Sequence, residues 1–334
     1  MSWTERLATG EVRHFGVRGV PAALVSLSTN RPVPRSGLER LMTAVRPDAA
    51  KLAVGIVGTG RVGAVLGASL VRAGHDVVAA SAVSERSRAR AAELLPGVPL
   101  LSPAGVLGRS SLVLLAVPDD ALAALVAGLA ETGAVQAGQL LAHPSGRHGL
   151  AVLDPAVRRG ALPLALHPVL PFTGTAVDLA RLHGAAFGVT SPEVLRPVAE
   201  ALVLEMGGEP VWVEEALRPL WHAALAHGAN HLGTLVASAA DLLRQAGAQD
   251  PASVLGPLLG AALEGALRSG DAVLTGPVSR GDAGTVASHL AARPDAVRPA
   301  YLALARLTAD RALADGRLAA DAAGPLLAVL GAVR

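Results

Sequence analysis

A small set of polar side chains has the types and spacing of an acid–base and oxygen-orienting centre. His143-Pro144-Ser145-Gly146 and His167-Pro168 each close a short apolar run. Further on, His222, Ala226 and Asn230 recur at four-residue spacing, which places them on one face of a helix, with His227 and His231 as a neighbouring stripe. Imidazole exchanges a proton near neutral pH, while a hydroxyl and a carboxamide orient an oxygen atom. His222, Asn230, His167 and Ser145 are therefore the candidate catalytic residues. A histidine on an apolar helix also serves as a hydrogen-bonded core residue, and that reading stays beside the first. Late in the chain, Thr275-Gly-Pro-Val-Ser-Arg280-Gly-Asp282 breaks a helical pattern, with Asp282 as N-cap and Thr285 in the next first turn. It is either a helix connector or a loop whose Arg280 grips a carboxylate bidentately. Arg280 and Ser145 are the candidate substrate-binding residues.

Other chemistries are removed by composition. Cysteine is absent, so thiolate nucleophiles and thiolate metal sites are excluded. Lys51 is the only lysine, which leaves Schiff-base chemistry and an ammonium acid without a residue on the long helix. His227 and His231 have i, i+4 spacing, but Gly228 stands where a zinc-protease motif needs glutamate, and no metal is expected.

Gly58-Thr59-Gly60-Arg61-Val62-Gly63 follows an apolar run and opens a helical pattern, the setting in which G-x-G-x-x-G binds a dinucleotide. The first glycine turns the chain and the second admits a pyrophosphate. The third lets helix approach strand, and the helix N-terminus attracts the anion. At the end of the next strand, Ser81-Ala82-Val83-Ser84-Glu85-Arg86 carries hydroxyls and arginine in place of a strand-terminal acid. That favours the 2′-phosphate of NADP over the free ribose of NAD, with Glu85 as a displaced acid in the opposite reading. Val117-Pro118 ends the strand that passes under such a cofactor. Asp119 and Asp120 then read as helix N-caps, or as an acidic pair.

The elements that must position these groups are legible as periodicity. Strands are expected at Leu52 to Val57, Asp76 to Ala80, Leu112 to Val117, Leu140 to His143, Leu162 to His167, Ala186 to Thr190 and Val211 to Val213. Helical patterns intervene, Val62 to Arg72 stopping at Gly74 and Glu85 to Leu95 stopping at Pro96-Gly97. Strand alternating with helix implies a doubly wound, mostly parallel α/β domain over 51–214. Residues 215–334 read as helices only, at roughly 216–246, 251–269, 281–292, 295–314 and 317–333. Residues 1–50, Arg-rich and punctuated by prolines, read as a weakly ordered extension, with Met42 as an alternative start.

The chain has 334 residues, 51% hydrophobic and 17% charged, which excludes a wholly disordered protein. Its pI near 9.8 would ordinarily point to nucleic acid. The excess lies in residues 1–50, which hold seven arginines against four acids, and the remainder is nearly neutral. With aromatics at 2%, stacking platforms for bases are scarce and a nucleic-acid partner is not expected. The charge-free run Pro219 to Ala240 has membrane-spanning length, but His222, His227, Asn230 and His231 are costly in lipid. A soluble, cytoplasmic protein without a membrane partner is the expectation.

The chain resembles the Rossmann-like oxidoreductases whose second half is the domain of unknown function 2520. The resemblance rests on Gly55-Ile-Val-Gly58-Thr-Gly60-Arg-Val-Gly63, Ser145-Gly146, Leu166-His167-Pro168, the His222 to Asn230 helix, and Thr275 to Asp282 continuing to Thr285 and His289. It covers about 52–310 and implies a 6-phosphogluconate-dehydrogenase-like architecture, an NADP-binding Rossmann domain and an all-α domain that forms a homodimer. The comparison also implies that Arg280 acts across the dimer. The leading reading of the residues is an NADP-dependent reductase or dehydrogenase acting on a small carboxylate-bearing carbonyl or imine, a ketopantoate-like 2-keto acid reduction in its most specific form. A non-catalytic NADP-binding dimer, a sensor or scaffold, is the competing class. Pro144 and Pro171 depart from the family pattern and remove hydrogen-bonding groups beside the expected substrate.

Overall fold

The computed structural model describes residues 51–292 and 296–331. The extension over 1–50 and the alternative start at Met42 lie outside the described residues. By its internal contacts the chain separates into two units that meet at His222 and Ala223. The division falls beyond the expected Glu214 because the start of the long helical run, through His222, belongs with the sheet.

The first unit is a seven-stranded sheet in the order β2-β1-β3-β4-β5-β6-β7. The strands are β1 Ala53–Val57, β2 Asp76–Ser81, β3 Leu112–Leu115, β4 Leu140–His143, β5 Leu162–Pro168, β6 Ala186–Thr190 and β7 Glu209–Trp212. Helices α1 Arg61–Arg72, α2 Glu85–Leu94, α3 Pro103–Leu107, α4 Asp119–Glu131, α5 Asp154–Val157, α6 Val177–Arg181 and α7 Arg196–Glu205 connect them. Strand alternation divides the core between the two faces. Val54, Ile56, Leu112, Leu114 and Leu140 pack with α1 and α7, whereas Val57, Val113, Leu115 and Leu141 pack with α4. A sheet covered on both sides requires such continuous apolar strands.

All pairings are parallel except β5 with β6, which is antiparallel and sets His167 opposite Gly188. Asp119 and Asp120 are not caps. The N-cap of α4 is Pro118 and has no side-chain bond, so the two acids occupy the first turn, where they complement the helix dipole.

The second unit is helical. The run that leads into it, expected as one helix over 216–246, is instead a 3₁₀ turn at Glu215–Leu217, α8 Arg218–Leu225, a π-helical stretch Ala226–Asn230, and α9 His231–Gln245. Gly228 lies inside the π stretch and has the weakest helix preference of its neighbours. A π turn is wider than an α turn, so four-residue spacing no longer assigns Asn230 a face. α10 Pro251–Ser269, α11 Ala283–Ala292, α12 Arg298–Ala314 and α13 Ala320–Gly331 follow. The last three enclose a core of Val286, Leu290, Leu302, Ala309, Leu326 and Leu330. Among the described residues no helix is long and apolar enough to cross a membrane.

Candidate functional site

The glycine-rich turn joins β1 to α1. Gly58 has φ +97°, and a Cβ on it would stand 2.6 Å from the Ala116 carbonyl oxygen. A Cβ on Gly63 would lie 2.0 Å from the Gly58 carbonyl oxygen and 2.7 Å from the Ala116 Cβ. Gly60 differs, having nothing within 4 Å of its missing Cβ. It is also the N-cap of α1, so no side chain caps that terminus, and no acid stands in the first turn. The result is an open space beside a helix N-terminus, suited to an anion. Val62 and Val117 pack against the two cores, and Pro118 begins α4.

Two of the residues expected to bind a cofactor, Thr59 and Ser81, also hold the turn together. The Ser81 hydroxyl accepts from the Gly58 N–H at 3.0 Å, and its carbonyl accepts from the Thr59 N–H at 3.0 Å. Buried Thr59 donates its hydroxyl to the Ser81 and Ser87 carbonyls. Ser84 caps α2 in a reciprocal box with Ser87. Arg86 is exposed, and neither it nor Arg61, Arg88 or Arg90 pairs with a carboxylate among the described residues.

Sequence reasoning missed Arg90 and the loop beside it. Fully buried Asp178 accepts from the Thr173 and Gly174 N–H groups at 2.8 and 2.7 Å and clasps that loop. A Cβ on Gly174 would stand 2.7 Å from both Arg61 Cγ and Arg90 Nε, so the two arginines meet at this loop. Nothing in the spacing of residues 61, 90 and 174 signals that meeting.

The histidines gather at the carboxyl ends of β4 and β5. The His167 and His222 rings are edge to face with centroids 6.0 Å apart. Gly146 lies against both. A Cβ there would be 2.7 Å from His222 Cδ2 and 2.8 Å from His167 Nε2. The loop carrying Gly146 is pinned from several directions. His143 Nε2 meets the Gly149 carbonyl at 2.9 Å, and the Ser145 hydroxyl oxygen accepts from the His148 N–H at 3.1 Å. Glu215 accepts from the Leu150 and Ala151 N–H groups at 2.7 and 3.1 Å.

Arg218 was not legible as a site residue, yet it ties these parts together. It is fully buried and donates to the Ser145 carbonyl at 2.6 Å, the Thr190 hydroxyl at 3.0 Å and the Gly188 carbonyl at 3.3 Å. Burial pulls its guanidinium down to about 10, so it stays charged at neutral pH. Trp221, also unforeseen, donates its indole N–H to His167 Nδ1 at 3.2 Å. Burial, assisted by the charge of Arg218 and then His222, lowers His167 to about 4. Burial lowers His143 to about 4 as well, against the opposing hydrogen bond to Gly149. Both imidazoles are neutral at pH 7.

A stability prediction follows for His143. In the unfolded chain a histidine takes up its proton near pH 6.5, whereas folded His143 holds out until about 4. Stability is therefore lost as pH falls from 6.5 towards 4, by roughly 3 kcal/mol for this residue. His143→Gln keeps a donor for the Gly149 carbonyl and cannot titrate. Urea unfolding at pH 7 and pH 4.5 should show a smaller acid loss in this variant, and an unchanged loss would refute the assignment.

Asn230 and Arg280 lie in the second unit. Asn230 is exposed at the end of the π stretch, and the Arg280 guanidinium donates to the Thr275 carbonyl. Asp282 caps α11 as expected, accepting from the Thr285 N–H at 2.9 Å and from its hydroxyl. His227 and His231 approach at 3.0 Å between their Nδ1 atoms. Among the described residues, no three histidine or acidic side chains cluster as metal ligands.

Comparison with known proteins bears on the whole arrangement. The pattern of a Rossmann-like domain matches residues 40–168, and that of a domain of unknown function, DUF2520, matches residues 185–308. No curated protein matches the chain. Among solved structures, a Bacteroides fragilis protein named as a candidate NADP oxidoreductase is 20% identical over 78% of this chain and 98% of its own, with TM-score 0.65. A reductive aminase from Aspergillus terreus, in complex with NADPH and ethyl levulinate, is 18% identical over 85% of this chain and 100% of its own, with TM-score 0.56. A Plasmodium falciparum pyrroline carboxylate reductase with NADP bound is 12% identical over 78% and 98%, with TM-score 0.52. At such identities the likeness is one of fold. The chain thus carries a Rossmann-like domain followed by a domain of unknown function 2520.

Proposed function

We propose that this protein is an NADP(H)-dependent oxidoreductase acting on a small carboxylate-bearing carbonyl or imine. The observation that carries the reading is the pairing of His167 with His222 around Gly146, on the same sheet edge as the glycine-rich turn. β1 and β5 are three strand spacings apart, roughly 14 Å, so phosphate and reacting groups would occupy opposite ends of one extended site. NADP(H), when bound, supplies or accepts the hydride. The space at Gly60 and the uncapped α1 terminus fit a pyrophosphate, and Arg61, Arg86 and Arg90, unpaired with any carboxylate among the described residues, fit a 2′-phosphate. The NADP-bound neighbours support this choice of cofactor.

His222 gives the proton to the developing alkoxide or amine, since His167 is uncharged at neutral pH. Ser145 orients the reacting group with its hydroxyl hydrogen, its oxygen already accepting from His148. Arg280 and Asn230 carry carboxylate- and oxygen-recognising chemistry on the second unit. A ketopantoate-like 2-keto acid reduction is the most specific form of this proposal.

The homodimer belongs to the same proposal. α9 has no buried residue, and α10 leaves Leu258 63% and Leu267 81% exposed. Light scattering giving a monomer mass would remove it.

The deciding experiment is a screen of 2-keto acids and cyclic imines with NADPH, then His222→Ala. Turnover lowered on the order of 10²-fold by the substitution is expected. NADPH binding without turnover of any of these compounds would favour a nucleotide-binding sensor or scaffold. Competing titrations should show NADPH tighter than NADH, with Arg90→Ala losing that preference. Tighter NADH binding would overturn the cofactor choice and favour Glu85 at the ribose.

A further inference from the structure

We propose that Trp221 is a positioning residue that holds His167 in a single tautomer, leaving its Nε2–H as a neutral hydrogen-bond donor to the substrate. The argument begins with what indole can do. Its N–H only donates, so the 3.2 Å contact to His167 Nδ1 requires that nitrogen to be the acceptor. A neutral imidazole accepting at Nδ1 carries its proton on Nε2. Nε2 lies on the Gly146 side of the ring, 2.8 Å from the point a Cβ would fill, and no protein group accepts from it among the described residues. The donor is thus made, aimed beside the His222 edge and left without an acceptor among the described residues.

The indole is held in place by a missing side chain. In the β5–β6 register His167 stands opposite Gly188. A Cβ on Gly188 would come within 2.7 Å of Trp221 Nε1 and 2.8 Å of Cε2, so the ring lies directly on that backbone. Arg218, one turn earlier on α8, anchors the helix through Ser145, Gly188 and Thr190. The groups acting on His167 are Trp221, the Arg218 charge, the His222 ring and the Gly146 backbone, with the Asp119 carboxylate as a weaker charge of opposite effect. A neutral donor suits this place because a second positive charge beside buried Arg218 would be repelled. Such a donor polarises a carbonyl or imine without surrendering its proton, and His222 remains the proton source. This part rests on the oxidoreductase reading, whereas the tautomer itself does not.

The test separates the two. Protein labelled with ring-¹⁵N histidine, with His167 assigned by its absence in His167→Gln, reports the protonated nitrogen directly. Wild type should show a single Nε2–H form at pH 7. Trp221→Phe removes the donor, and Gly188→Ala pushes the indole off its seat, and both should give a mixture of tautomers. Trp212→Phe, whose ring packs under Arg196 at 4.8 Å, is the control and should change nothing. An Nδ1–H form in wild type, or an unchanged Nε2–H form in both variants, overturns the proposal. If the screen yields a substrate, Trp221→Phe should lower kcat by about 10-fold or more with the Kd for NADPH unchanged. A kcat equal to wild type would remove the catalytic part while leaving the tautomer assignment to the spectra.

Discussion

Arg218→Ala should lower the unfolding free energy by about 3 kcal/mol, the largest loss expected from a single side chain of this site. The residue is fully buried, and its guanidinium serves the Ser145 and Gly188 carbonyls and the Thr190 hydroxyl. Truncation leaves a cavity and removes the donor from three acceptors. Part of that loss is returned, because a buried guanidinium that pairs with no carboxylate among the described residues is itself costly to desolvate. Arg218→Met separates the two effects, since it fills most of the volume and removes the charge. It should be less destabilising than alanine, yet it frees the Ser145–Gly146 loop just as fully. Both variants should therefore lose turnover to a similar degree while differing in urea midpoint. An alanine variant within about 0.5 kcal/mol of wild type would show that Arg218 does not hold the site together.

Gly63→Ala should damage both stability and cofactor binding, whereas Gly60→Ala should damage binding alone. A Cβ on Gly63 would be placed 2.0 Å from the Gly58 carbonyl oxygen, which cannot move without displacing the turn that Thr59 and Ser81 fasten. The helix must then retreat from the strand, at about 2–3 kcal/mol, and NADPH affinity should fall on the order of 100-fold with the distorted turn. Gly60 has nothing within 4 Å of its missing Cβ, so alanine there meets no protein atom. Its methyl group occupies only the space argued to take the pyrophosphate. Calorimetric titration with NADPH and urea unfolding, run on both variants, distinguish the cases. A Gly60→Ala protein that binds NADPH as tightly as wild type would remove the cofactor from this turn.

Much of this architecture follows from local pattern. Apolar runs bounded by glycine and proline mark the strands to within a residue or two, and G-x-G-x-x-G marks the turn, because short-range sterics act through neighbours in sequence. The antiparallel placement of β6 was not legible. The connection after β5 contains a short helix and several turn residues, and nothing in its composition selects one strand direction over the other. Asp119 and Asp120 misled for a related reason, since acids are favoured both as caps and in the first turn.

His167 and His222 were identifiable as candidates by residue type, and Gly58, Gly60 and Gly63 by spacing. What those residues do was decided elsewhere. Thr59 and Ser81 fasten the turn because β2 lies beside β1, and Arg61 meets Arg90 because a loop clasped by Asp178 sits over both. His167 acquires its indole partner only because β6 runs antiparallel and presents Gly188 where Trp221 needs room. By itself, the sequence determined the residue types, the strand-and-helix order and the glycine turn, all set by interactions within a few residues. Only the tertiary structure decided which nitrogen of His167 faces outward and which charge lies behind it. Those properties belong to contacts across the sheet, between residues whose separation in the chain carries no signal.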